Sequence, residues 1–154
     1  MKDSVSSKEL FNIQNNFDGG FRIDKVLDDA GQPLAYFINK TMMRINLEQT
    51  LLPGAQMAFQ VDWHYKINDR MSLGGRSGYE YFPKDDNYSY TIAQFYPRMA
   101  VYDDVEGWQN KQFLGRGEFA LSFGNFEVAL TVPEDFIVGA TGTLQNPKDV
   151  LTAK

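Results

Sequence analysis

Strict alternation of apolar and polar residues over positions 57–67 is the sequence feature that most constrains how this chain can fold. Side chains alternate between the two faces of a β-strand, so the pattern predicts an antiparallel strand with one buried face. The apolar residues of that face are Met57, Phe59, Val61, Trp63, Tyr65 and Ile67. His64, the one histidine of the chain, falls on the polar face, where we expect it to face solvent or to bond to a neighbour.

Shorter stretches with the same period of two are separated by turn residues. Each of three turn signals lies between two such stretches and predicts that they are neighbouring antiparallel strands. The three are residues 21–26 and 34–38 around residues 28–31, residues 43–47 and 57–67 around residues 52–54, and residues 119–123 and 126–132 around residues 124–125. A fourth signal, residues 84–87, predicts a polar hairpin tip.

These patterns predict an all-β chain, an antiparallel β-sandwich of about seven to nine short strands. We find no amphipathic helix of three turns with good caps. A length of 154 residues suits one domain with a sizeable core, so we assign residues 17–154 to a single β-sandwich domain. Residues 1–16 are polar and weakly patterned, which predicts a loose arm or a partial strand.

Composition and charge exclude several classes of function. The net charge of −5 and the scattered Lys and Arg residues give no basic surface for nucleic acid or anionic lipid. The first ten residues lack the apolar core of a signal peptide, and no run approaches the roughly 18 apolar residues of a membrane span. We therefore expect a soluble chain that binds neither nucleic acid nor membrane. The absence of cysteine excludes disulfides.

The densest group of potential site residues lies in residues 90–108, with the sequence YTIAQFYPRMAVYDDVEGW. Its first residues alternate until Pro97, which predicts a strand that runs into a loop. The side chain of Gln94 can offer its carbonyl oxygen to a cationic ligand, and Arg98 with the acids at 103–106 can order the loop behind it. The alternative is that Gln94 is an ordinary polar strand residue and that the acids are solvated turn residues.

At these residues the chain resembles the aminopeptidase N family of zinc metallopeptidases, in particular a divergent bacterial branch. The sequence AQFYPRMAVYDD, residues 93–104, matches a Gln-x-Glu-Pro-like stretch followed by Arg-x-x-Phe-Pro-x-x-Asp-Glu, with a shortened connection. The likeness extends more loosely over residues 19–147. The N-terminal β-sandwich domain of that family contributes a Gln to the active site of the next domain. The resemblance therefore implies that Gln94 binds the substrate N-terminus. Tyr96 departs from the family pattern, because many relatives carry a Glu there, but its hydroxyl can still accept a hydrogen bond from the substrate.

The resemblance also implies that catalysis takes place outside this chain. Zinc enzymes of this family bind the metal through His-Glu-x-x-His and a later Glu. A chain with one His and no Cys cannot supply that set, so we expect no zinc and no catalysis in this chain alone. The expected partners are the zinc-containing catalytic domain of the same, exported parent protein and its peptide substrate. If the first strands of the sandwich are also missing, exposed edges and apolar faces predict self-association.

Other interpretations of the residues stay open. The aromatic residues on either side of residues 84–87 can form a core, a surface against a partner domain, or a platform for stacking on sugars: Tyr79, Tyr81, Phe82, Tyr88 and Tyr90. The main alternative function is accordingly a free-standing β-sandwich module that binds carbohydrate or protein. Less favoured are a hydrolase or a calcium site built from Asp103, Asp104 and Glu106. Residues 73–78 are glycine-rich but lack the Gly-Lys-Ser/Thr of a P-loop, which favours a flexible loop.

Overall fold

The computed structural model describes residues 6–7, 18–112 and 122–151, and the chain divides into two compact units, Met1–Ser122 and Phe123–Lys154. The described part of the first unit is built from short strands with little helix. Its elements are β1 (Arg22–Asp28), β2 (Tyr36–Asn39), β3 (Met42–Ile45), β4 (Phe59–His64), α1 (Arg70–Leu73), β5 (Gly78–Phe82), β6 (Asn87–Thr91), β7 (Tyr102–Asp103) and β8 (Gly107–Trp108). The regular structure of the described residues is mostly strand with little helix, and these strands pair antiparallel, which confirms the all-β class.

The predicted long strand is present as β4, shortened to six residues. It pairs with β1 from Arg22 opposite His64 to Asp28 opposite Phe59. Trp63 is half-buried and His64 is exposed, as the alternation predicts, but Phe59 of the apolar face is exposed and Asp62 of the polar face is half-buried. A register shift between Ile23 and Lys25 makes Asp24 the extra residue of β1. The Oδ2 atom of Asp24 lies 3.0 Å from Nδ1 of His64, so the prediction of a locally bonded histidine is confirmed.

The predicted pairing of residues 43–47 with residues 57–67 is wrong. The turn at residues 52–54 forms, with the amide of Ala55 donating to the carbonyl of Leu52 at 3.0 Å, but β3 pairs with β2 and β4 pairs with β1. The link between β2 and β3 is only two residues long, and Lys40 takes a φ of 55° in it. Closing so short a loop costs less chain entropy than closing the longer one.

The predicted turn at residues 28–31 is confirmed, although little of the expected hairpin follows it. The amide of Gly31 donates to the carbonyl of Asp28 at 3.1 Å, and the amide of Leu34 donates to the carbonyl of Val26 at 2.9 Å. Pairing beyond the turn is a single bridge between Leu27 and Pro33. Proline has no N–H to extend a ladder, so the chain leaves β1 and forms β2 against β3 instead.

Few hydrophobic side chains are buried in the described residues. Val26 and Leu34, whose backbones are joined by a hydrogen bond beside this turn, expose 3% and 7% of their surface. Many large apolar side chains of the strands are exposed by contrast, among them Phe37, Tyr36 and Ile38 of β2. The strand pairs therefore present open apolar faces, which is what contact with a further layer or a partner would cover.

The side chain of Gln112 holds the turn between β2 and β3 from outside the hairpin. Its Oε1 atom accepts hydrogen bonds from the amide and the hydroxyl of Thr41, at 3.0 and 2.7 Å. Its Nε2 atom donates to the carbonyl of Asn39 at 2.9 Å. One side chain thus satisfies three polar groups around Lys40.

We expect Gln112→Ala to loosen this turn by about 1 kcal/mol, because exposed hydrogen bonds contribute modestly. Amide exchange at Thr41 should accelerate. Gln112→Glu keeps the acceptor for Thr41 and should preserve most of the protection. Equal Thr41 exchange in Gln112→Ala and in the unsubstituted chain would show that the turn does not need this contact.

The second unit is described by itself for residues 123–151. It contains α2 (Pro147–Val150), which was not predicted, and no strand within these described residues. The predicted return strand at 126–132 is therefore wrong, although its alternation is clear in the sequence. The predicted partner strand, residues 119–123, lies mostly outside the described residues and stays a prediction.

The structure does not test the remaining predictions of domain organisation. The arm at residues 1–16 lies outside the described residues apart from Ser6 and Ser7, and the single domain over residues 17–154 stays a prediction. Within the described ranges, no helix has the length and apolar character needed to cross a membrane.

Candidate functional site

The candidate site follows the hairpin of β5 and β6. These strands pair from Gly78 opposite Thr91 to Phe82 opposite Asn87, around a loop of residues 83–86. The amide of Asp85 donates to the carbonyl of Phe82 at 3.2 Å, and Asp86 takes a φ of 46°. The hydroxyl of Tyr81 donates to Oδ1 of Asp86 at 2.8 Å. The predicted polar hairpin tip is confirmed.

The strand does not continue to Pro97 as predicted. β6 ends at Thr91, and Gln94 lies in a bend with a φ of 54°. A residue other than glycine is uncommon in this left-handed region and stays there only when its surroundings hold it. We call residues 93–95 the Gln94 bend.

Two side chains hold the bend on either side of Gln94. The hydroxyl of Ser77 accepts a hydrogen bond from the amide of Ala93 at 2.9 Å and donates to its carbonyl at 3.0 Å. The indole Nε1 of Trp63, on β4, donates to the carbonyl of Phe95 at 3.0 Å. The backbone before and after Gln94 is therefore fixed by groups from two different parts of the unit.

Sequence patterns did not identify Ser77 or Trp63 as site residues. Ser77 lies in the glycine-rich loop and Trp63 belongs to the apolar face of β4. A signal for Trp63 does exist in the sequence, because a half-buried indole N–H needs an acceptor. No comparable signal marks Ser77, whose partner depends on how the strand ends.

The two predicted site residues lie on neighbouring parts of this segment. Gln94 is exposed and Tyr96 is half-buried. The Tyr96 ring meets the Phe95 ring edge-on, with centroids 5.1 Å apart, and Cζ of Arg98 lies 5.6 Å from the Tyr96 ring centre. That distance allows a cation–π contact. Among the described residues, Arg98 lies over the Tyr96 ring and Glu106 pairs with Lys111, so no contact supports the prediction that Arg98 orders this loop with the acids of residues 103–106.

The acids of residues 103–106 build a turn instead. Oδ1 of Asp103 accepts from the amides of Val105 and Glu106 at 3.0 and 2.8 Å, and Oδ2 accepts from Nε2 of Gln109 at 2.6 Å. Glu106 pairs with Lys111 at 2.5 Å. These bonds close the β7–β8 hairpin. The hydrogen bonds that Asp103 accepts lower its pKa, with the largest effect from the amide of Glu106, followed by Gln109 and the amide of Val105.

We expect this hairpin to lose stability in acid. The pKa of Asp103 is lower in the folded chain than its unfolded value of about 3.9. The ionised carboxylate therefore stabilises the hairpin fully above about pH 3.9, and this stabilisation is lost as the pH falls through the folded pKa. The indole of Trp108, 5.3 Å from the Tyr102 ring across the hairpin, is a local NMR reporter. Asp103→Asn keeps an acceptor for the amides and should remove the acid step at Trp108. A step that survives in Asp103→Asn would assign it to another group.

One face of the β5–β6 hairpin carries four tyrosines, which we call the tyrosine face: Tyr79, Tyr81, Tyr88 and Tyr90. The ring of Tyr88 lies 6.0, 4.8 and 6.2 Å from the other three, in that chain order. Tyr81, Tyr88 and Tyr90 are more than 40% exposed. The face is therefore a continuous aromatic surface and not part of a closed core.

No group of three or more His, Asp or Glu side chains within residues 6–7, 18–112 and 122–151 is placed to hold a metal ion. No protein-family model, curated protein or solved structure matches the chain. The aminopeptidase N resemblance, the sandwich and the roles of Gln94 and Tyr96 therefore stay predictions.

Proposed function

We propose that this chain is the non-catalytic N-terminal domain of a zinc aminopeptidase and that Gln94 binds the N-terminus of the peptide substrate. The observation that carries the proposal is the exposed, left-handed Gln94 held on both sides. In the described residues, the other non-glycine residues with positive φ are Lys40 and Asp86, and both close hairpins. Gln94 closes no hairpin, and unexplained backbone strain concentrates at functional sites.

The side chain of Gln94 suits an ammonium ligand. Its amide oxygen has two lone pairs, and a hydrogen bond from a charged donor is about twice as strong as one between neutral groups. The hydroxyl oxygen of Tyr96 also has two lone pairs, so it can accept a bond from substrate beside any protein contact. Arg98 lies over the Tyr96 ring, and we therefore assign the hydroxyl, not the ring face, to the substrate.

The remaining parts of the proposal concern the parent protein. The residues of this chain do not fit a zinc site, since it has one His and no Cys. We assign zinc and peptide hydrolysis to a catalytic domain encoded beyond this chain. The antiparallel strand pairs belong, in this proposal, to a β-sandwich whose open apolar faces contact that domain.

The test is the reading frame that follows the codon for Lys154. A helical segment with His-Glu-x-x-His and a later Glu would support the proposal, and purified parent protein should then release N-terminal residues from peptides. A stop codon near Lys154 would contradict it.

A carbohydrate- or protein-binding module is the second candidate, favoured by the exposed tyrosine face. Sugars stack on aromatic rings, and exposed aromatic surfaces also mark protein interfaces. Saturable quenching of tyrosine fluorescence by an oligosaccharide, in a chain that ends near Lys154, would support this candidate over the aminopeptidase.

A further inference from the structure

The Gln94 bend is held by three hydrogen bonds that no strand ladder supplies. Ser77, one residue before β5, bonds both polar atoms of the Ala93 backbone through a single hydroxyl. Trp63 reaches the carbonyl of Phe95 from β4, and this bond is partly buried. Both residues thus act on the peptide groups next to Gln94.

Resting on the proposed function, we propose that Ser77 and Trp63 are positioning residues that hold the Gln94 side chain ready for the α-ammonium group of a peptide. A left-handed conformation is unfavourable for a residue with a Cβ atom, so the bend would relax if its contacts were removed. A residue fixed before binding loses less entropy when the ligand arrives. Neither Ser77 nor Trp63 touches the substrate in this scheme.

The two residues should differ in effect. Ser77 contributes two of the three bonds and holds the residue that precedes Gln94, whereas Trp63 contributes one bond. Removing the Ser77 hydroxyl should therefore disturb the bend more than removing the indole N–H. Ser77 belongs to an exposed contact, so its truncation should leave the fold intact.

The first measurement uses this chain. In Ser77→Ala, exchange of the Ala93 amide should accelerate about tenfold, and the coupling between the amide and α protons of Gln94 should change as φ relaxes. Ser77→Thr keeps the hydroxyl and should retain the protection. Trp63→Phe keeps an aromatic ring without the N–H and should give a smaller change.

The second measurement uses the parent enzyme. Ser77→Ala should raise KM for peptides about tenfold with kcat nearly unchanged, because the bend affects binding of the N-terminus and not the reacting groups. In a Gln94→Ala background the same change should have no further effect, since there is no side chain left to position.

The outcomes separate the positioning roles from the proposed function. If Gln94→Ala raises KM and Ser77→Ala does not, the positioning role is wrong and the proposed function stands. If the increase in KM caused by Ser77→Ala adds fully to that caused by Gln94→Ala in the double variant, the positioning role of Ser77 is also wrong. If Gln94→Ala changes nothing, both proposals fail.

Discussion

Replacing Gln94 with Ala in the proposed parent aminopeptidase is expected to lower kcat/KM for peptides by about 10- to 100-fold, with zinc content unchanged. The reason is the loss of a hydrogen bond to a charged group, which contributes about 1.5–3 kcal/mol. The effect should appear mainly in KM if the ammonium is bound equally in the ground and transition states. Steady-state kinetics and metal analysis of the same preparations measure both quantities.

The control for this prediction is another exposed amide. Gln49 lies in the loop after β3, so Gln49→Ala removes the same group away from the bend and should leave kinetics unchanged. Gln94→Glu keeps an acceptor and adds a negative charge, and should bind the ammonium at least as well as Gln94 does. Unchanged kcat/KM in Gln94→Ala would remove Gln94 from the site.

Replacing Gly78 with Ala should destabilise the β5–β6 hairpin by about 2–4 kcal/mol, the largest stability effect we expect. Gly78 is buried at the start of β5 with a φ of 147°. An added Cβ would lie 2.7 Å from the carbonyl oxygen of Asn68 and 2.9 Å from Cβ of Arg70. That carbonyl accepts the amide of Tyr79 at 2.8 Å, so moving it away would break a further bond. Denaturant unfolding followed by tyrosine near-UV circular dichroism measures the change.

Two other glycines separate the clash from the backbone conformation. Gly54 has a φ of 79° with open space around it, so Gly54→Ala carries the conformational cost alone, about 1–2 kcal/mol. Gly139 has open space and no positive φ, so Gly139→Ala should change stability by less than about 0.5 kcal/mol. A Gly78→Ala variant as stable as Gly54→Ala would show that the close contact with the Asn68 carbonyl does not destabilise the hairpin.

Local patterns predicted strands and turns better than they predicted which strands pair. The alternation in β4 and the turn residues at 84–87 are properties of contiguous sequence, and both are present in the structure. The partner of β4 is not such a property. A period of two determines which face of the strand each side chain is on, but it does not determine which strand lies alongside. Here β1 pairs with β4, although the β2–β3 hairpin lies between them in the sequence.

The same limit applies to the candidate site. Alternation continued through residues 92–95, which suggested that β6 runs on to Pro97. The strand ends earlier because the Ser77 hydroxyl takes both polar groups of Ala93. A serine at the end of a glycine-rich loop gives no sign of that contact in the sequence. The sequence did allow the role of Asp103 as a turn residue, which was the alternative to a place in a functional site. Aspartates commonly accept hydrogen bonds from amides two or three residues ahead, as Asp103 does here.

Val26 and Leu34 are the buried hydrophobic side chains of the described residues, and this small core bears on how the parent protein would be made. Ribosomes release the N-terminal part of a chain first, and each further 100 residues take roughly 5–20 s to synthesise. For that period the proposed partner domain does not yet exist, while the aromatic surfaces of β2 and the tyrosine face are already formed. Such surfaces are what chaperones bind, so the yield of the parent should depend on chaperone supply during translation more than its final stability does.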